Sequence, residues 1–194
     1  MDLTFACRCG TLRGVLHEAD AADGCPIVCY CRDCRAAARH LGVTGDLHPG
    51  GGSPIFQTLP ARIEITEGAD RLGCLRLSPK GLHRWYATCC DTPIANTGGV
   101  PRLPVAGMWR PLFADDAALG DAGARVFTQQ AVPRGEGPRR NSGLAGVVAG
   151  LVRRGVAALA AGRLGQGPFF DAKGAPRATP KVLSKPDRAA AYAD

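Results

Sequence analysis

Seven of the nine cysteines in this chain stand in three close groups. Cys7-Arg8-Cys9-Gly10 lies near the start, Cys29-Tyr30-Cys31-Arg32-Asp33-Cys34 follows, and Cys89-Cys90 comes much later. Thiols grouped this tightly, with no secretion signal in front of them, point to metal ligation rather than to disulfides. Zinc is the first expectation. It takes four ligands in a tetrahedron, and three protein thiolates leave one position open for chemistry. Seven clustered cysteines are too many for one tetrahedral ion and one short of two, so one or two Zn2+ per chain are expected.

A Cys-x-Cys-Gly turn presents two thiolates from one loop, which is half a tetrahedron. The other half must come from a second knuckle. Cys90-Asp91-Thr92-Pro93, after the strand-like Arg84-Trp85-Tyr86, is the candidate. The triplet Cys29, Cys31 and Cys34 is a different object. Its spacing brings three sulfurs around one point if a turn leads into a helix, whose N-terminus favours thiolate over thiol. No further ligand follows nearby. Two readings stand: an open, reactive site with three ligands, or a structural knuckle completed by a distant group.

The remaining candidates carry less. Cys74 sits in a strand-like run and reads as a small buried apolar residue. Cys25 precedes Pro26 in a turn, outside a triplet that is already complete. His17, His40, His48 and His83 are scattered and read as surface or core residues, although His48 in a glycine-rich loop can approach a site.

The order Cys-x-Cys-Gly, then Cys-x-Cys-x-x-Cys-Arg, then a late cysteine followed by a small residue, Thr and Pro, resembles the glutathione-dependent formaldehyde-activating enzyme family. That family (the GFA domain) also includes the centromere protein V-like domains. The resemblance covers about residues 3–115, and the run from Cys29 to Arg35 is its most specific part. It implies a mainly β, Mss4-like (β-tent) zinc fold. It implies a structural ion at Cys7, Cys9 and Cys90, and a catalytic ion at Cys29, Cys31 and Cys34. The family's late knuckle reads Cys-x-x-Cys-Gly. Here Ala87 stands at the first cysteine position, Cys89 is displaced by two places, and Asp91 replaces the glycine. The fourth place is then left to Cys89 through a distorted turn, or to water or another group. The implied activity is that of a zinc-dependent carbon–sulfur lyase. Its substrate would be a small thiol adduct, such as the S-hydroxymethyl adduct of glutathione or of another thiol. His48 and Asp33 are the candidates for moving the proton.

The elements that must position these residues are short. A chain of 194 residues with 45% hydrophobic content supports one domain with a core plus appendages. Aromatics at 6%, with 26 Gly and 15 Pro, favour short strands and many turns. Strand-like runs fall at 12–16, 27–30, 62–65 and 84–86, and a short helix at 34–41 is closed by Gly42. The start has no basic region and no apolar stretch, so an unprocessed, cytoplasmic protein is expected.

The net charge of +7 is unevenly placed. Residues 1–131 hold 13 Lys/Arg and 13 Asp/Glu, whereas 132–194 hold 11 and 4. The cysteine-bearing part therefore lacks an electrostatic signature for nucleic acid. Four segments are expected: a GFA-like zinc-binding domain at 1–131, a basic linker at 132–142, an amphipathic helix at 143–164 and an extended basic tail at 165–194. Arg153 and Arg154 at the middle of the helix would each cost about 2.5–3.5 kcal/mol in a bilayer centre, so no transmembrane segment is expected. Leu144, Val148, Leu151, Val152 and Leu159 are instead expected to dock on the domain. The alternative to an enzyme is a non-enzymatic zinc module. Its Arg134, Arg139, Arg140, Arg153 and Arg154 would bind an acidic partner, either nucleic acid or an acidic protein, in a salt-sensitive way.

Overall fold

Short apolar runs between glycines and prolines build short strands, and in the computed structural model these pair into two sheets. The structure describes residues 1–20, 24–133 and 136–193. Among them the chain is mainly β, with helices concentrated towards the C-terminus.

The first sheet is antiparallel and three-stranded, in the order β1 (Leu3–Ala6), β2 (Arg13–Leu16), β5 (Ile63–Glu67). Leu3 and Phe5 point inward and Thr4 outward, the two-residue alternation of a half-buried strand. The second sheet has eight strands. They are β3 (Cys25–Cys29), β4 (Ser53–Thr58), β6 (Leu72–Arg76), β7 (His83–Ala87), β8 (Thr92–Thr97), β9 (Ala106–Trp109), β10 (Ala124–Val126) and β11 (Pro180–Val182). Their order is β10-β3-β4-β9-β8-β7-β6-β11. The inner pairings are antiparallel, while β10 and β11 join in parallel at the two edges. Both edge strands are only three residues long, which limits the row of unpaired backbone groups they present. The main core gathers Trp85, Phe56, Leu12, Leu16, Ile94 and Met108, all fully enclosed.

Three helices complete the fold: α1 (Arg32–His40), α2 (Leu144–Ala160) and α3 (Lys185–Tyr192). In α1, Ala36, Ala37 and Ala38 are buried, so small side chains let the helix lie close to the sheet. Ser184 caps α3 by accepting from the Asp187 N–H at 3.2 Å. Among the described residues, no helix is long and apolar enough to cross a membrane.

Three sequence expectations need correction. The tail at 165–194 is not simply extended. Phe169 and Phe170 are buried, β11 extends the large sheet, and α3 packs on α1. Phe169 stacks on Trp85 with ring centroids 5.0 Å apart, and an aromatic ring gains more by burial in the core than by exposure in a tail.

The linker is also tied down where it is described. The Asn141 side chain accepts from the Thr128 N–H at 3.0 Å, and Ser142 bridges to Arg125. Arg134 lies outside the described residues.

The helix, finally, presents the opposite face to the one expected. Leu144, Val148, Val152 and Leu159 are 54%, 52%, 59% and 67% exposed, and Leu151 is half-buried. Arg154 and Ala158 are buried instead. The contact side also carries small residues: a Cβ at Gly155 would stand 3.2 Å from Pro104 Cγ, so backbone and loop approach closely there.

Candidate metal centres

The first group forms where β1 ends and the β7–β8 turn passes by. Gly10, at φ +74, turns the chain back after Cys9, a conformation that glycine takes without a Cβ clash. The turn is closed by Gly10 N–H donating to Cys7 O at 2.9 Å, and the Leu12 N–H reaches Cys7 Sγ at 3.3 Å. Across the sheet, Thr88, Cys89 and Cys90 make a tight turn that ends in Asp91 at φ +54. This left-handed residue is the distorted turn that delivers Cys89. The Cys7, Cys9, Cys89 and Cys90 sulfurs gather within 4.8 Å of one another. Individual separations are 3.5 Å for Cys7–Cys9, 3.7 Å for Cys7–Cys89 and 3.3 Å for Cys9–Cys89. Four thiolates around one tetrahedral ion at about 2.3 Å stand about 3.8 Å apart, so the set fits a four-coordinate metal. Cys89 Sγ lies where the sequence left the fourth place open.

Thiolate is favoured at Cys9, whereas desolvation and the neighbouring thiols push Cys89 up to about 12. The Thr11 side chain and backbone hold the Cys9 thiol down to about 6, with Cys89 and Cys90 adding to the effect. Thr92 Oγ1 sits 3.1 Å from Cys90 Sγ and also accepts from the Arg8 N–H at 3.1 Å, which binds the two knuckles together.

The second group forms where β3 runs into α1. Cys29 ends the strand, Cys31 caps the helix, and Cys34 lies in its first turn. The Cys34 N–H donates to Cys31 Sγ at 3.3 Å, so the cap itself is a sulfur. Cys34 and Cys29 sulfurs are 3.7 Å apart, and all three lie within 4.8 Å of one another. Cys29 and Cys31, beside it, hold the Cys34 thiol well below its ordinary value, and the Arg84 guanidinium adds to this. Cys31 and Cys34, together with burial, push the Cys29 thiol up. Among the described residues no fourth cysteine, histidine or carboxylate joins this group.

A cleft of about 700 Å³ opens over the triplet. Arg84 and Asn96 line it as a cross-strand pair on β7 and β8, with Arg84 donating to Asn96 Oδ1 at 3.2 Å. Arg84 is only 5% exposed. Sequence reading missed it, although a charged residue between His83 and Trp85 in a strand with no polar alternation was a usable signal. Of the two proton-transfer candidates, Asp33 lines the cleft but accepts a hydrogen bond from Tyr192 Oη at 2.6 Å. His48 is exposed in its loop and is not among the residues lining the cleft. Cys74 is buried in β6, with its thiol pushed up to about 11 by burial, and Cys25 stands apart from both groups.

A search of curated proteins returns no match. Over residues 2–141 the sequence matches a family described as being of unknown function, DUF6151. The matched stretch takes in both cysteine groups and ends before α2 begins. The chain therefore belongs to the DUF6151 family.

Proposed function

We propose that this chain is a two-zinc protein of the Mss4-like (β-tent) kind, a divergent relative of the glutathione-dependent formaldehyde-activating enzymes. On this reading it acts as a carbon–sulfur lyase on a small thiol adduct. One observation carries the proposal: three sulfurs, with no fourth cysteine, histidine or carboxylate joining them among the described residues, line a cleft large enough for a small molecule. Thiolate-rich ligand sets of this kind favour zinc among the common divalent metals. Cys7, Cys9, Cys89 and Cys90 would hold a structural ion, and Cys29, Cys31 and Cys34 a catalytic one. A zinc ion at the triplet supplies a Lewis-acidic position that stabilises thiolate at neutral pH.

The reaction is the addition of a thiol to an aldehyde and its reverse. The sulfur lone pair forms a C–S bond as the carbonyl π bond breaks, and the oxygen takes up the proton that the thiol gave up. In reverse the C–S bond breaks and the aldehyde leaves. Arg84 and Asn96 place N–H groups in the same cleft, where they can receive the oxygen on which charge develops.

Exchange NMR on a mixture of thiol and formaldehyde tests the proposal. The native chain should accelerate formation and breakdown of the S-hydroxymethyl adduct. Cys31→Ala should abolish the acceleration while the remainder stays folded. No acceleration with any thiol would refute the lyase.

The second reading, a non-enzymatic module, draws on exposed Arg139 and Arg140 beside α2. Binding through them to nucleic acid or an acidic protein would weaken steeply with salt, whereas turnover of a thiol adduct would not.

A further inference from the structure

The cleft over Cys29, Cys31 and Cys34 has walls as informative as its buried end. Ile27, Ile55, Val105 and Val126 line it, and Leu144 and Val147 close one side from α2. Three large apolar side chains at its mouth stay exposed: Leu82 at 47%, Phe127 at 46% and Leu144 at 54%. Phe127 holds φ +58, a left-handed conformation that is strained for a bulky residue, and strain of this kind collects at ligand sites.

Among the described residues the charged side chains lining the cleft are Arg32, Asp33 and Arg84, and each has a partner on the protein. Arg84 bonds Asn96, Asp33 accepts from Tyr192, and Arg32 lies over the Tyr192 ring with its guanidinium carbon 4.7 Å from the centroid. A tripeptide thiol such as glutathione brings two carboxylates and an ammonium. Along the apolar wall of Ile27, Ile55, Val105 and Val126 those charges meet no partner, and desolvating them there is unfavourable.

We propose that the cleft takes a thiol, or thiol adduct, carried on an apolar body, and that Leu144 and Val147 of α2 form the wall that selects it. The inference rests on the thiol-adduct reading and names the substrate class for that same site. It also gives α2 a role. The helix lies beyond the stretch shared with the family, and its first turns supply part of the cleft.

The test is calorimetric titration of the full-length, zinc-loaded chain, under reducing conditions, with benzyl mercaptan, mercaptoethanol and glutathione. Benzyl mercaptan should bind about tenfold tighter than either of the others, the discrimination an apolar pocket gives for a few extra carbons. Leu144→Asp, at an exposed position, should remove most of that preference by weakening benzyl mercaptan far more than mercaptoethanol. Val147→Ala should lower benzyl mercaptan affinity in the same direction by a smaller factor. Glutathione binding as tightly as benzyl mercaptan, or a preference unmoved by both α2 variants, overturns the inference and leaves the thiol-adduct reading standing. No binding of any thiol overturns both.

Discussion

Tyr192 Oη donates to Asp33 Oδ1 at 2.6 Å, although the two residues are 159 positions apart. The bond fastens the last helix to the first turn of α1, the turn that carries Cys34. Arg39 reinforces it by donating to Ala191 O at 3.0 Å, and the Arg32 guanidinium covers the Tyr192 ring. The C-terminal segment therefore braces the triplet. Tyr192→Phe should cost about 0.5–1.5 kcal/mol, the net worth of one hydrogen bond, in a denaturant melt. A melt identical to that of the native chain would mean the contact carries no stability.

Phe169 makes the larger contribution. It is fully buried, stacks on Trp85, and lies beside Phe170, whose ring meets Trp85 edge-on at 5.6 Å. Phe169→Ala should cost about 3–5 kcal/mol, and deleting residues 165–194 should leave an insoluble or unfolded chain. A soluble truncated protein with an unchanged melting temperature would show that the tail is not part of the core.

The two cysteine groups should differ as staples. Cys9 and Cys89 are 80 positions apart, and a metal joining them closes a long loop. Cys29, Cys31 and Cys34 are neighbours in sequence and close almost none. Constraining the longer loop stabilises more, so Cys9→Ser should lower the melting temperature more than Cys31→Ser. A reversed order would exchange the structural and catalytic roles.

Asp91 holds a left-handed conformation, φ +54, that glycine adopts without a Cβ clash. Asp91→Gly should remove the Cβ strain and raise stability by about 1 kcal/mol, with the four sulfurs still gathered. Loss of metal in this variant would show that the Asp91 side chain, rather than the turn, is required.

His17 lies between Asp2 at 2.8 Å and Glu64 at 2.9 Å, and so links the chain just before β1 to β5 through charge. Glu64 and then Asp2 raise its pKa above the ordinary histidine value, and His17 in turn lowers that of Asp2. A raised folded-state pKa gives stability that is present below the unfolded value, about 6.5, and is lost as pH rises through the folded value. The Asp2 contribution has the opposite sense and is lost as pH falls through the carboxylate range. The native chain should therefore exceed His17→Gln in stability between those limits, with the difference closing at alkaline pH. A difference that grows above neutral pH would contradict the ion pairs.

Both cysteine groups were legible in the sequence because ligand spacing is local: a Cys-x-Cys-Gly turn or a Cys-x-Cys-x-x-Cys helix start brings its sulfurs together whatever surrounds it. Cys89 was less so, since its delivery depends on one left-handed residue that no spacing rule demands. Arg84, Asn96 and the apolar cleft come from strands and a helix far apart in sequence, so only the sheet order brings them together. The α2 face was misread for a related reason. Leu144, Val148, Val152 and Leu159 form the more apolar stripe, but close packing favoured the side bearing Gly155 and Ala158. The tail was read from its prolines and lysines, which outnumber the two phenylalanines that place it in the core.

Metal content of the full-length chain, purified anaerobically without added metal, is the most direct measurement. Two zinc ions per chain are expected from elemental analysis, falling to one in Cys31→Ala with the fold retained. A chain that is folded, fully reduced and free of zinc would contradict the assignment of both cysteine groups as metal centres.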